Sequence, residues 1–101
     1  MDTDNILHGA KQRFSHNSAK AYLKDKYLAR LILAEQDGLW TVSLDLIIKL
    51  KAIDRETVIL IDNYDHPVEV NVKNLLAKAE QTYFEVMSEW HKEWKELEAK
   101  R

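Results

Sequence analysis

The apolar positions of the last third of the chain recur at helical spacing, and the stripe becomes more aromatic toward its end. Asn71 is a residue type that caps helix starts, and Met87 and Trp94 widen the stripe. The pattern predicts one long amphipathic C-terminal helix over 71–101. Seven residues share its main apolar face: Val72, Leu76, Ala79, Tyr83, Val86, Trp90 and Leu97.

A period of two replaces the helical period in the middle of the chain. Apolar residues occupy the even positions from Trp40 to Ala52, which predicts either one long bent strand or two strands. Residues 57–61 are rich in strand-forming residues and are apolar on both parities, which is typical of a strand covered on both faces. Residues 63–66 supply turn chemistry, and Pro67 opens a short strand.

The amino end is predicted to be a flexible polar arm over 1–16, within a single domain spanning 1–101. A helix is expected to begin at Asn17 or Ser18, because a short side-chain oxygen satisfies free N–H groups at a helix start. Two alternatives exist for residues 28–36. In the first, residues 28–36 continue this helix, which stops at Gly38. In the second, they form a strand that pairs with 39–44 across Asp37-Gly38, a dipeptide typical of hairpins. We favour the strand.

The middle of the chain resembles small β-barrels of the Sm-like and SH3-like kind over residues 40–76. The resemblance rests on a bent strand ending in an aspartate turn, an apolar strand, a short turn and a strand leading into a helical turn. Those features are carried by Ile48–Asp54, Thr57–Leu60, Asp65–Val70 and Leu75. Sm-like proteins place an arginine-glycine pair in their RNA-binding loop, where this chain has Val70-Asn71-Val72. The resemblance therefore implies a barrel rather than Sm-like RNA binding.

The predicted fold class is α+β. It comprises an N-terminal helix, a small antiparallel sheet or SH3/Sm-like barrel of three to five strands, and the long C-terminal helix. With 101 residues, 46% hydrophobic and 32% charged, the chain is typical of a small soluble protein. It contains no cysteine, which excludes disulfides and thiol catalysis, and no apolar run near the ~20 residues of a membrane span. We expect a cytoplasmic protein with no membrane contact.

Charge is distributed unevenly along the chain. Residues 1–30 carry a net charge of +3, residues 31–70 carry −5, and residues 71–101 are neutral overall. A basic amino end can bind nucleic acid or an acidic partner, or it can attract acidic segments of its own chain. We favour attraction within the chain. The alternative function is nucleic-acid binding by the basic segment 11–26, whose cations are interleaved with Phe14, Tyr22 and Tyr27. Its candidate residues are Lys11, Arg13, Lys20, Lys24 and Lys26.

No pattern in the sequence indicates catalysis. Two isolated glycines cannot form a phosphate-binding loop, and no glycine-rich elbow surrounds a serine. The histidines are scattered at positions 8, 16, 66 and 91. Asp62, Asp65 and Glu69 are interpreted as turn residues rather than ligands of a hard cation. We predict a non-enzyme with no metal, cofactor or small-molecule ligand.

The aromatic end of the last helix requires a cover. A helix over 72–100 is about 43 Å long, whereas strands of about six residues reach about 20 Å. The cover is the N-terminal helix, a second copy of the chain, or another protein. Glu93 interrupts the seam of a coiled coil, and it extends an acidic ridge with Glu85 and Glu89.

The sequence thus predicts a protein–protein interaction or regulatory module that acts through its aromatic helix, with self-association as one form of contact. The candidate partner-binding residues are Phe84, Met87, Trp90, His91, Trp94 and Leu97.

Overall fold

The described part of the chain folds as an α+β protein with three helices and two separate two-stranded antiparallel sheets. The computed structural model describes residues 3–100 and the side chains of residues 16–100. The described part contains no closed barrel, so the barrel detail of the prediction is not confirmed. The elements in chain order are α1 (Thr3–Arg30), β1 (Ile32–Glu35), β2 (Gly38–Thr41), α2 (Leu44–Ala52), β3 (Thr57–Ile61), β4 (Pro67–Asn71) and α3 (Val72–Ala99).

The first helix begins earlier than the sequence predicts. Its expected start was Asn17 or Ser18, whereas α1 begins at Thr3 and includes most of the predicted polar arm. Residues 1 and 2 of that arm lie outside the described residues, as do the side chains of residues 3–15. No helix in the described part of the chain is both long and apolar enough to cross a membrane.

Both alternatives for residues 28–36 are correct in part. Helix α1 continues to Arg30, and β1 then pairs with β2 as the favoured hairpin prediction requires. The turn lies one residue earlier than expected. Gln36 and Asp37 both have positive φ (52° and 62°), which is the type I′ pattern. Gly38 instead begins β2, where the ring of Trp40 leaves no room for a side chain. A Cβ at this position would come within 2.5 Å of Cζ2 of Trp40.

The prediction of strand over 40–52 is wrong beyond Thr41, because residues 44–52 form helix α2. The hydroxyl of Ser43 caps this helix by accepting a hydrogen bond from the N–H of Leu46 at 3.2 Å. Ile47 and Leu50, three residues apart, face the core, whereas Ile48 is exposed. The even-position pattern was therefore coincidental, since the buried face follows helical spacing.

The second hairpin matches its predicted strands but not the predicted burial. Strand β3 pairs with β4 in a register that places Ile59 opposite Glu69 and Ile61 opposite Pro67. Alternate residues of β3 face solvent, with Ile59 58% and Ile61 62% exposed. The prediction that this strand is covered on both faces is wrong, because no layer packs on its outer face in the described part.

Each hairpin holds the other through one side chain of its turn region. The amide of Gln36 accepts from the N–H of Asn71 at 2.6 Å and donates to its carbonyl at 3.2 Å. In return, the buried carboxylate of Asp62 accepts from the N–H of Leu39 at 3.1 Å. The same carboxylate accepts from the N–H groups of Tyr64 and His66, both at 3.0 Å, and so closes its own turn. These bonds link two small sheets that share no strand.

The turn interpretation of the Asp62 region agrees with these contacts. Within the part of the chain that the structure describes, no group of three or more His, Asp or Glu side chains is placed to hold a metal ion. Hydrogen bonds from the N–H groups of His66, Leu39 and Tyr64 hold the pKa of Asp62 below its usual value.

The core joins both long helices to the two hairpins, and the molecule is elongated. Its Cα radius of gyration is 19.6 Å and its extents are 68 × 25 × 18 Å. A compact domain of this length has a radius near 13 Å, so the long helices extend well beyond the hairpins. The core residues are Leu23, Tyr27, Leu31, Trp40, Val42, Ile47, Leu50, Val70, Val72, Leu75, Ala79 and Val86.

We expect Asp62→Asn to lower stability at neutral pH and to flatten the loss of stability in acid. Because the folded pKa of Asp62 is lowered, the unfolded chain binds more protons as pH falls. The contribution of Asp62 is complete above the unfolded carboxyl pKa of about 4 and is lost as pH falls through the folded pKa. Urea unfolding between about pH 7 and pH 2.5 measures it. Asp65→Asn is the matched control, because Asp65 is exposed in the same turn. Equal acid slopes for Asp62→Asn and wild type would contradict the assignment.

Candidate protein-interaction surface

Helix α1 covers the aromatic end of α3, so the cover predicted for the tryptophans comes from the same chain. The two helices run antiparallel, because residues late in α1 contact the middle of α3 and earlier residues contact its end. The rings of Tyr27 and Trp90 stack with centroids 6.1 Å apart and an interplanar angle of 10°. Tyr27 is almost fully buried, and Trp90 and Leu97 pack as half-buried residues on the core.

Three ion pairs, here called the ion-pair ladder, join the two helices along this contact. Lys20 pairs with Glu98, Lys26 with Glu93 at 3.1 Å, and Arg30 with Glu89. The ladder confirms that the basic amino end is attracted by its own chain. Its partners lie in α3 rather than in the acidic middle segment.

Glu93 occupies a central position in the ladder. Its carboxylate accepts hydrogen bonds from the ammonium of Lys26 at 3.1 and 3.3 Å. The hydroxyl of Tyr27 and the ammonium of Lys26 both lower the pKa of Glu93. Burial raises the pKa of Tyr27, so this hydroxyl remains a donor. Glu93 interrupts a hydrophobic seam in the sequence, but here it is stabilised by its ion pair with Lys26 of α1. Glu89 and Glu93 of the acidic ridge are thus partnered within the chain.

Trp94 is covered less completely than Trp90. Its side chain remains 41% exposed, and the ammonium of Lys20 lies 5.3 Å from its ring centroid. Such a cation–π contact occupies one face of the ring only. The two terminal tryptophans therefore differ, with Trp90 inside the contact between helices and Trp94 at its border.

An apolar groove of about 650 Å³ opens where the end of α1, the first hairpin, the start of α2 and the middle of α3 meet. Leu28, Ile32 and Leu44 stand at its edges, each more than 40% exposed. Asp45 is its one charged lining residue in the described part. The apolar groove is lined by Leu28, Leu31, Ile32, Thr41, Val42, Ser43, Leu44, Asp45, Tyr83, Met87 and Trp90.

The structure divides the six predicted partner-binding residues between separate locations. Met87 and Trp90 line the apolar groove, and Phe84 stands beside it with its ring edge-on to that of Tyr83 at 5.6 Å. Trp94 lies under Lys20, His91 is exposed, and Leu97 packs against the core. Their role in partner binding stays a prediction.

Sequence reasoning missed the groove residues outside α3. Leu44 was assigned to a strand, and the segment holding Leu28 and Ile32 had no settled element. One signal was present: Leu23, Tyr27 and Leu31 follow a spacing of four, so Leu28 lies one residue off the buried stripe.

The predicted nucleic-acid residues are only partly available. Lys20 and Lys26 belong to the ion-pair ladder, and Tyr27 is buried under Trp90. Lys24 is exposed and forms no ion pair with any side chain that the structure describes. The side chains of Lys11 and Arg13 lie outside the described residues.

Comparisons with known protein families, curated proteins and solved structures find no match to this chain.

We expect the two tryptophans to differ in their contribution to stability. Trp90→Ala removes a ring stacked on buried Tyr27 and should cost about 2–3 kcal/mol. Trp94→Ala removes a more exposed ring and should cost less than about 1 kcal/mol. Urea unfolding monitored by circular dichroism measures both values, and the fluorescence of buried Trp40 provides a second probe. Equal losses for the two variants would contradict the asymmetric cover.

Proposed function

We propose that this protein is a non-enzymatic interaction module that binds a partner protein through the apolar groove, in a regulatory or accessory role. The groove itself is the observation that carries the proposal. Its walls come from five elements, namely α1, β1, β2, α2 and α3, and large apolar side chains at its edges remain partly exposed. Contiguous exposed apolar surface of this kind marks binding sites in soluble proteins.

A polypeptide segment suits the groove better than a small molecule. Small-ligand sites enclose most of the ligand, whereas this groove is open to solvent along Leu28, Ile32 and Leu44. The apolar face of an amphipathic helix fills such a groove by inserting residues one turn apart. Asp45 is exposed at the rim, so the partner helix should carry a basic residue beside its apolar face.

The groove wall formed by α3 is held in place before binding. Trp90 is stacked on Tyr27, and the ion-pair ladder sets the position of α1 along α3. A preorganised wall reduces the entropy lost on association. The aromatic residues of α3 would therefore act in both roles, with Trp90 supporting the fold and Met87 facing the partner.

The full chain can be used to select binding peptides from a random displayed library. We expect the selected peptides to carry an apolar helical face with an adjoining basic residue. Leu44→Lys places a charge in the groove and should weaken their binding at least ~10-fold. Ile48→Lys is the matched control, because Ile48 is 62% exposed on the same helix and does not line the groove. Affinities by calorimetry and NMR shift mapping provide the readout. Selected peptides that leave the signals of Leu28, Leu44 and Met87 unchanged would overturn the proposal.

The alternative function, nucleic-acid binding by segment 11–26, is supported by one observation. Tyr22 is 71% exposed and Lys24 is also exposed on α1, so a stacking ring and a cation are both accessible, although two residues apart on a helix they project in different directions. Because the barrel is not confirmed, this alternative would use helix α1.

The alternative requires salt-sensitive binding to single-stranded RNA or DNA. Lys24→Glu should then weaken binding and reduce the salt slope by about 0.7, the value for one phosphate contact. Lys73→Glu changes the net charge equally at an exposed position of α3 and should leave the slope unchanged. Fluorescence anisotropy with a labelled single strand at low salt measures both. Absence of binding there removes the alternative.

A further inference from the structure

The outer edges of β2 and β4 carry contacts that occupy or remove some of their free hydrogen-bonding groups. On β2, Leu39 donates to Asp62 and accepts from the N–H of Asn63 at 2.8 Å. On β4, Pro67 has no N–H, and both main-chain groups of Asn71 bond to Gln36. Proline and side-chain contacts of this kind protect the exposed edges of natural sheets.

The hydrogen-bonding direction of β3 follows from its pairing with β4. Val72 donates to Glu56, and Asp62 donates to His66, each at 3.0 Å. With the register of the hairpin, these bonds show that the even-numbered residues of β3 face β4. The N–H and C=O groups of Thr57, Ile59 and Ile61 therefore point to the outer edge.

The outer edge of β3 has no protecting feature. Its three outward residues have no main-chain partner among the described residues, and β4 is the one element of the described part that runs alongside this strand. The strand contains no charge, proline or glycine. A β-rich apolar edge in this state is a template for pairing with another strand.

We propose that two copies of this chain associate by antiparallel pairing of β3 with β3 about a two-fold axis at Ile59. In this register Ile59 lies opposite Ile59 of the second copy, and Thr57 lies opposite Ile61. Each of the three outward residues donates one hydrogen bond and accepts one, which gives about six bonds across the axis. The two hairpins become one four-stranded sheet whose outer face carries Ile59 and Ile61 of both copies side by side.

A second copy fits this edge better than an unrelated peptide. A protein that binds a foreign strand at a sheet edge takes its specificity from pockets beside that edge. The three grooves found in the described part are lined by residues other than Thr57, Ile59 and Ile61, so none of the three supplies such a pocket. Pairing with itself needs no pocket. The uncharged strand also brings no like charges together along its length. Glu56 would face Asp62 of the second copy, whose carboxylate is already bonded to three N–H groups.

Solution mass and amide exchange test the pairing. Light scattering should give a mass that rises to twice the 11.9 kDa chain mass as the protein concentration approaches ~1 mM. The measurement is made at about 0.15 M salt, because charges at the strand ends are then screened beyond about 8 Å. Ile59→Lys should remain folded by circular dichroism and weaken the dimer at least ~10-fold. Ile48→Lys, equally exposed on α2, and Leu44→Lys in the groove should leave the dimer unchanged.

Hydrogen exchange of the unaltered chain provides a readout that does not depend on variants. The amides of Thr57, Ile59 and Ile61 should gain protection as the dimer forms, whereas those of Val58 and Leu60 are protected at all concentrations. A chain that stays monomeric, a dimer that Ile59→Lys leaves intact, or a dimer abolished by Leu44→Lys would each overturn the proposal. The Leu44→Lys result also separates this pairing from binding at the groove.

Discussion

The structure depends on one mismatch of length. Helix α3 has 28 residues and spans about 42 Å, whereas the strands of the two hairpins have at most five residues and span about 17 Å. The hairpins and α2 cover the first half of α3, where Leu75 and Ala79 are fully buried. The second half is apolar and aromatic, so it requires a cover of comparable length. Helix α1, also with 28 residues, supplies that cover and makes the molecule elongated.

The packing of α1 on α3 creates the groove as well as the core. Stacking of Tyr27 on Trp90 and the pairing of Arg30 with Glu89 set where α1 ends against α3. The first hairpin must then start beside the middle of α3. The hydrogen bonds made by the side chains of Gln36 and Asp62 hold it against the second hairpin. The groove lies where these parts meet without filling the space between Leu28, Leu44 and Met87. The open edge of β3 belongs to a different part of the molecule, so the proposed partner binding and the proposed self-association need not compete.

Much of the secondary structure could be predicted because its causes are local. Asn71 accepts from the N–H of Asn74 and starts α3 as expected, and residues 36–38 form the turn region of a hairpin. The strand prediction is wrong over 44–52, because the apolar residues there fit both a two-residue period and a helical period. The prediction also did not use Ser43, which caps the start of α2. In the candidate site, Met87 and Trp90 were predicted because they lie on the stripe of α3. Leu28 and Leu44 were not, because they belong to elements whose type had not been settled.

The sequence by itself determined the α+β composition, the amphipathic final helix and the excess of aromatic residues at its end. These properties follow from side-chain periodicity and from caps that act over three or four residues. Only the tertiary structure decided what covers Trp90 and which carboxylates neutralise the basic amino end. Lys26 and Glu93 are 67 residues apart, and Arg30 and Glu89 are 59 apart. Local spacing carries no information about contacts at such separations, because they form only when both long helices are packed along the same core.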